Sequence, residues 1–192
     1  ENYEVYPQTD PEVIKAFSLI NNQMYHPTIM MRKSTIEKNN LYYDSNYKTE
    51  DAELWSRAVK VAKLSNLKEI LLKYRSSSEN ETVVAKKEVF DSDIKIIQKQ
   101  LKQNLDIDIP LNEVIYLNGR INSYTYLYNK KEIIGHRKKI IKKVLKQNKK
   151  IKFYNQMHLC ELFEIKSMNP IKRGAKKIIK PIYTRLMFRI EM

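Results

Sequence analysis

Apolar residues recur at helical spacing along most of the chain, and short continuous apolar runs interrupt this pattern in the first half. The first periodic face begins after Asp10-Pro11, a good helix start, and consists of Val13, Phe17, Ile20 and Met24. Two short apolar runs predict strands, a short buried one at residues 28–31 and another at residues 69–75. The periodic segments predict helices at about residues 11–24, 34–39, 50–65, 84–101, 111–117, 124–146, 153–163 and from 170 onward.

The segment LDIDIP at residues 105–110 is the best candidate for a boundary between two parts of the chain. The pattern beyond it is helical throughout, whereas the part before it mixes helical periodicity with short apolar runs. We therefore divide the chain into residues 1–104 and 105–192.

The net charge of +14 is concentrated in the last third of the chain. Residues 129–192 contain 19 Lys and Arg against 4 Asp and Glu, whereas residues 1–128 contain 17 against 18. This asymmetry indicates that the near-neutral part and the basic part have different roles.

The composition excludes several classes of protein. Hydrophobic residues make up 42% of the chain, which is enough to bury a core, so we do not expect a disordered protein. Cys160 is the only cysteine, which excludes an internal disulfide and suits a reducing, cytoplasmic compartment. No apolar run approaches the ~18 residues of a membrane-spanning helix, and the first ten residues do not resemble a signal peptide. Because the chain does not begin with methionine, we expect it to be part of a longer protein.

Residues 47–59, with the sequence YKTEDAELWSRAV, place two acidic residues at the start of a predicted helix. Glu50 and Asp51 follow Thr49, a suitable N-cap, and Trp55, the only tryptophan, lies on the next turn. Acidic side chains are common in a first helical turn because they complement the helix dipole. A carboxylate there is also held rigidly and kept ionised by nearby backbone amides, as a catalytic base requires. The acidic pair alone fits both interpretations.

Three segments occur in a defined order and spacing: YHPTIMMRK at residues 25–33, YD at 43–44 followed by TEDAELWSR at 49–57, and NLKEILLKYR at 66–75. Together they resemble the C-terminal half of the catalytic domain of a bacterial family 2 glycosyltransferase, an inverting enzyme of the GT-A fold. The resemblance implies an α/β fold in residues 1–104, namely a partial GT-A fold on the acceptor side whose nucleotide-binding half is missing. An all-helical region in residues 105–192 would follow it.

The resemblance also implies roles for individual residues. Asp51 would be the general base that takes the proton from the acceptor hydroxyl, and Glu50 would orient the backbone or the acceptor. Trp55 would wall the acceptor site on its apolar side, with Arg32 at the same site. His26 would line the acceptor pocket, although a lone histidine at the start of a strand often serves only as a structural hydrogen-bonding group.

The chain departs from the family pattern around the donor. Arg75 could contact a donor diphosphate or form a surface ion pair, and both interpretations stay open. Many relatives have a histidine two residues later, near the metal, where this chain has Ser77, a poor ligand for a divalent cation. The family's Asp-x-Asp metal site has no counterpart, because Asp106 and Asp108 lie after the base. A divalent metal, Mg²⁺ or Mn²⁺, is therefore expected only in the intact enzyme, with ligands from an upstream segment or from a partner chain.

The basic part contains amphipathic helical patterns. Within residues 136–146, pairs of lysines flank one apolar stripe, which consists of Ile140, Ile141, Val144 and Leu145, and residues 172–188 repeat the pattern. Such helices suit the headgroup region of an anionic membrane, where each Lys or Arg contributes ~1 kcal/mol. The stripe could instead pack on the rest of the protein and leave a solvated basic face. Nucleic-acid binding is less favoured, because no recognised nucleic-acid module accompanies the lysines.

These patterns predict a fragment of an inverting glycosyltransferase that transfers a sugar from a nucleotide-sugar donor to a glycan or a lipid-linked acceptor. We expect it to act in bacterial surface polysaccharide synthesis, bound peripherally to the cytoplasmic face of the cell membrane. The alternative, from a different class, is a noncatalytic basic helical module that binds an anionic membrane or nucleic acid.

Overall fold

The structure is a computed structural model that describes residues 7–73, 80, 84–118 and 130–163. The helices are α1 (Pro11–Phe17), α2 (Lys33–Asn39), α3 (Glu50–Ala58), α4 (Lys86–Leu105), α5 (Leu111–Val114), α6 (Lys130–Ile151) and α7 (Gln156–Leu162), with a short 3-10 helix at His26–Thr28. The helix start predicted at Asp10-Pro11 is confirmed, because the Asp10 carboxylate accepts hydrogen bonds from the backbone N–H groups of Glu12 and Val13.

The expected α/β fold, a partial GT-A fold, is wrong for the part of the chain that the structure describes, which is helical and contains no β-strand. The first predicted strand, at residues 28–31, follows the 3-10 helix. Ile29 and Arg32 have extended backbone angles, but no neighbouring segment in the described ranges pairs with them. Met30 is 98% exposed rather than buried. A strand forms only where a neighbour completes its hydrogen bonds, and an apolar run cannot show whether that neighbour exists.

The second predicted strand, at residues 69–75, is also absent as far as the structure describes it, to residue 73. Its apolar side chains face solvent, with Leu71 71% exposed and Ile70 49% exposed. The apolar run predicted a strand here, but no described part of the molecule packs over these side chains. Arg75 and Ser77 lie outside the described residues.

The larger core forms around α4, against which α3, α5 and α6 pack, while α1 packs against α7. It draws on residues from both sides of position 105 and includes Phe17, Leu19, Ile97, Leu101, Leu105, Val114, Leu117, Ile140, Val144 and Leu159. In the segment that we expected to be a boundary, Ile107 is 1% exposed and Ile109 is 5% exposed, and both belong to this core. The same segment contains Asp106, which ends α4 in a left-handed conformation.

A smaller core holds α3 in place. Leu41, Leu54, Trp55 and Ala58 are buried together, and four partly buried residues pack around them, namely Met24, Ile29, Ile36 and Leu64. Because these residues come from the 3-10 segment, α2, α3 and the chain beyond α3, the smaller core fixes the first turn of α3 against the segment that carries His26.

A buried polar network joins α4 to the turn between α6 and α7. The Asn104 amide on α4 donates to the Tyr154 hydroxyl at 2.8 Å. Asn148 on α6 holds the Tyr154 backbone from both sides, since its Nδ2 donates to the carbonyl and its Oδ1 accepts from the N–H, each at 2.9 Å. Burial raises the pKa of Tyr154 and outweighs the lowering effect of the hydrogen bond from Asn104, so the phenol stays neutral.

Replacing Tyr154 with Phe is expected to lower the free energy of unfolding by about 1–3 kcal/mol, because the buried Asn104 amide loses its acceptor. Since folding raises the pKa of Tyr154, its contribution is present below the ordinary pKa of 10.0 and is lost as the pH rises above that value. Urea titrations at neutral and at alkaline pH should show the difference between variant and wild type shrinking at alkaline pH. The control is Tyr42→Phe, at a residue 57% exposed, and an equal loss in both variants would contradict the prediction.

Candidate functional site

The acidic pair lies in the first turn of α3, as the motif predicted, and Asp51 is held there by two hydrogen bonds. One carboxylate oxygen accepts from the backbone N–H of Ala52 at 2.7 Å, and the other accepts from the side-chain amide of Asn22 at 2.9 Å. Asn22 is itself oriented, because its Oδ1 accepts from the backbone N–H of Met24 at 2.9 Å. The half-buried Asp51 carboxylate is therefore tied to the segment that leads to His26.

Through its contact with His26, Tyr43 adds a third segment of the chain to the surroundings of Asp51. The Nε2 of His26 and the hydroxyl of Tyr43 are 2.8 Å apart, and the ring centroids are 5.4 Å apart. Burial raises the pKa of Tyr43, and the negative charges of Asp51 and Glu50 raise it further. Tyr43 is therefore a neutral hydroxyl group close to both carboxylates, and the site combines residues 22–26, 43 and 50–51.

A cleft of about 690 Å³ opens beside this group, between the loop 43–48 and the first half of α4. Its lining residues are Tyr43, Ser45, Asn46, Tyr47, Lys48, Glu50, Glu88, Asp91, Ser92 and Lys95. Two hydrogen bonds fix the loop to α4: the backbone N–H of Lys48 donates to the Ser92 hydroxyl at 2.7 Å, and the Thr49 hydroxyl donates to the Asp93 carboxylate at 3.3 Å. Of the acidic pair, Glu50 lines the cleft and Asp51 does not.

The other residues predicted for the site lie elsewhere. Trp55 is only 3% exposed and belongs to the smaller core, and it is not among the residues that line the cleft. Arg32 precedes α2, and its backbone carbonyl accepts from the N–H groups at the start of that helix, while its side chain is exposed. The structure therefore brings Glu50, Asp51 and His26 close to Tyr43, but of the predicted site residues only Glu50 lines the cleft, and His26, Arg32 and Trp55 do not.

A buried charged group lies behind the site and was not predicted from the sequence. Glu53 is fully buried, and its carboxylate pairs with Arg57 at 2.8 Å and with Lys99 on α4 at 2.7 Å. Arg57 also donates to the backbone carbonyls of Asn40 and Tyr42, so it anchors the segment that leads to Tyr43. The sequence could have indicated the pair of Glu53 and Arg57, because the two residues are four positions apart on one helix. It could not have indicated the contact with Lys99, which lies 46 residues further along the chain.

The charge state of Glu53 follows from its partners. Burial alone would raise its pKa, but the hydrogen bonds from Arg57 and Lys99, together with their positive charges, outweigh burial and lower it. Glu53 is therefore ionised at neutral pH and joins α3 to α4 through an ion pair.

Lysines of the basic helix α6 are exposed to solvent, and its apolar stripe is buried in the protein. Ile140, Ile141 and Val144 are at most 7% exposed and belong to the larger core. The opposite faces carry exposed lysines, namely Lys138, Lys139, Lys142, Lys143, Lys146, Lys149 and Lys150. The stripe therefore packs on the protein, as in the second of the interpretations that the sequence left open, and only the charged face meets solvent. The repeat of this pattern at residues 172–188 lies outside the described residues.

Two further features concern metals and membranes. Within the described ranges, no group of three or more His, Cys, Asp or Glu side chains is arranged to hold a metal ion. None of the described helices is long and apolar enough to cross a membrane, as the sequence predicted.

Comparisons with models of protein families, with curated proteins and with solved structures each found no match. Any functional conclusion therefore depends on the chain's own residues and their geometry.

Proposed function

We propose that the residues around Asp51 form the acceptor side of an inverting glycosyltransferase. The observation that supports this most is the convergence of three separate segments, which carry His26, Tyr43 and Asp51, next to a cleft that Tyr43 and Glu50 line and that is large enough for a sugar ligand. The fold does not support the proposal, since the described residues lack the expected α/β architecture. The support lies in the local geometry and in the motif at residues 49–57.

In this proposal Asp51 is the base, as the motif at residues 49–57 implies. An acceptor hydroxyl oxygen attacks the anomeric carbon of a nucleotide sugar as the bond from that carbon to the diphosphate breaks, and the hydroxyl proton passes to the carboxylate. The bonds from Asn22 and Ala52 hold this carboxylate in place but use only part of its capacity, since an ionised carboxylate can accept about four hydrogen bonds. A divalent metal would assist departure of the diphosphate, but its ligands and the donor site are proposed to lie outside this chain.

The structure narrows the proposed role of Glu50. The motif gave Glu50 a role in orienting either the backbone or the acceptor, and its place in the lining of the cleft, which does not include Asp51, favours the acceptor. Glu50 is therefore proposed to bind the acceptor, with Asp51 as the base. The test is transfer of labelled sugar from nucleotide-sugar donors by the intact protein and by its Asp51→Asn variant. Wild-type turnover in that variant would overturn the assignment.

A second candidate function rests on the exposed lysines of α6. Residues 130–151 contain 9 Lys and 1 Arg against 1 Glu, and the apolar stripe between the lysines is buried. We propose that this face binds an anionic membrane surface by charge alone, without insertion of apolar side chains. This proposal fits either a peripheral enzyme or a noncatalytic module.

Replacing Lys138, Lys142, Lys146 and Lys149 with Gln is expected to weaken binding to vesicles that contain phosphatidylglycerol by more than about a hundredfold, at ~1 kcal/mol per lysine. Co-sedimentation at low and high salt measures the effect. The control changes four exposed lysines elsewhere, Lys38, Lys63, Lys68 and Lys73, so that the net charge is the same. Equal losses in the two variants, or equal binding of the wild type to neutral phosphatidylcholine vesicles, would argue against a specific face.

A further inference from the structure

The chemistry of the cleft beside Glu50 limits what it can bind. All ten lining residues carry side chains that can form hydrogen bonds, and none is aliphatic. The aromatic part of the lining consists of the rings of Tyr43 and Tyr47. A hydrocarbon ligand would therefore leave polar groups without partners, which costs free energy when those groups lose water.

The charges in the cleft disfavour an anionic ligand. Three carboxylates, from Glu50, Glu88 and Asp91, outnumber two ammonium groups, and no arginine is present among the lining residues. Glu88 also lies in the first turn of α4, where backbone N–H groups would otherwise attract an anion. A nucleotide diphosphate or an acidic sugar would meet repulsion here.

The remaining class that fits is a neutral ligand rich in hydroxyl groups. Carboxylates accept hydrogen bonds from hydroxyl groups, lysines donate to them, and Ser45 and Asn46 can do both. The rings of Tyr43 and Tyr47 can pack against the C–H faces of a sugar while their hydroxyls bind its edge. The volume of about 690 Å³ lies within the usual range for ligand pockets.

The walls of the cleft are held in place before any ligand binds. The loop 43–48 is tied to α4 through the bond from Lys48 to Ser92, and Thr49 is tied to Asp93 at the start of α3. Lys99 lies over the Tyr47 ring, with its Nζ 5.3 Å from the ring centroid. A preformed site loses less free energy to ordering when a ligand binds.

We propose that this cleft is the acceptor subsite and that its ligand is a neutral oligosaccharide, bound by Glu88 and Asp91 of α4 and by the Tyr47 ring. This inference rests on the proposed function, since it places the acceptor next to the Asp51 base. It adds α4, which none of the sequence motifs includes, to the site. It also selects an uncharged sugar over the anionic end of a lipid-linked acceptor.

The experiment measures glycan binding without any donor. The 192-residue chain is applied to an array of neutral and acidic oligosaccharides, and the tightest neutral glycan is titrated by saturation-transfer NMR. We expect neutral glycans to bind and acidic ones to bind weakly or not at all. In the double variant Glu88→Ala and Asp91→Ala, affinity should fall by at least about tenfold, because two charge-assisted hydrogen bonds are lost.

The control variant is Glu12→Ala with Glu69→Ala, which removes the same charge at exposed positions away from the cleft and should bind like the wild type. Both cleft positions are exposed sites on a helix, where alanine is well tolerated, so circular dichroism should show folded protein. Absence of binding to every neutral glycan, preferential binding of acidic glycans, or unchanged affinity in the cleft variant would overturn the proposal.

The two proposals fail in different ways. If Asp51→Asn loses glycosyl transfer while the cleft variant binds glycans normally, the proposed acceptor subsite is wrong and the proposed enzymatic function is supported. If the cleft variant loses glycan binding while Asp51→Asn transfers sugar at the normal rate, the acceptor subsite is supported and the assignment of Asp51 as the base is wrong.

Discussion

Replacing Asp51 with Asn is expected to slow glycosyl transfer by about 10²–10⁴-fold, the usual contribution of a general base. Asparagine is close to aspartate in shape and keeps an oxygen that can accept one of the two hydrogen bonds made by Asn22 and Ala52. Its amide cannot take up the hydroxyl proton, so kcat should fall while donor and acceptor affinities change little. Steady-state kinetics of the intact protein, with the variant's fold checked by thermal unfolding, measures this loss.

Two control variants sharpen this prediction. Glu50→Gln should raise the KM for the acceptor more than it lowers kcat, because Glu50 lines the cleft whereas Asp51 does not. Asp106→Asn makes the same chemical change as Asp51→Asn at a side chain 77% exposed on the C-cap of α4 and should leave the rate unchanged. A larger loss of kcat in Glu50→Gln than in Asp51→Asn would move the base to Glu50.

Glu53→Ala is expected to lower the free energy of unfolding by about 3 kcal/mol, at the lower end of the range for breaking a buried ion pair. The lower end applies because Arg57 and Lys99 are 24% and 26% exposed, so water can partly solvate them after the change. The variant leaves two cations without their shared carboxylate between α3 and α4. It should also loosen the segment that Arg57 anchors at Asn40 and Tyr42. Urea unfolding measures the first effect and amide hydrogen exchange of residues 40–47 measures the second.

The same residue gives the protein a pH dependence with a defined sign. Because folding lowers the pKa of Glu53, its stabilising contribution is complete above the ordinary value of 4.5 and is lost as the pH falls below it. The difference in stability between wild type and Glu53→Ala should therefore shrink in acid. Glu37→Ala breaks an exposed pair with Lys33 and should cost less than about 0.5 kcal/mol at any pH. Similar losses of stability in the two variants would show that the buried pair of Glu53 stabilises the protein no more than an exposed pair does.

The candidate site could be predicted in part, because its signals are local in sequence. Glu50, Asp51 and His26 were found from motifs whose residues are neighbours along the chain. Asn22 and Tyr43 were missed as partners, since 29 residues separate Asn22 from Asp51 and 17 separate His26 from Tyr43. Trp55 was placed on the correct helix but on a face that meets the smaller core rather than the cleft.

The helices that have local causes were predictable from the sequence. Apolar spacing of three and four residues predicted α4 and α6, a capping carboxylate predicted the start of α1, and an acidic first turn predicted α3. These features depend on interactions within a few residues, which a sequence records directly. The charge of the last third is equally a property of the sequence alone.

Which apolar residues are buried depends on contacts between segments that are distant along the chain. Residues 28–31 and 69–73 have the composition of strands but pair with no other strand in the described part of the chain, whereas the stripe of α6, which the sequence allowed to face a membrane, packs into the larger core. The ion pair of Glu53 with Lys99 and the cleft between the loop 43–48 and α4 also arise only when distant segments meet. The physical reason is that burial and pairing depend on what lies opposite a side chain in space, and spacing along the chain does not contain that information.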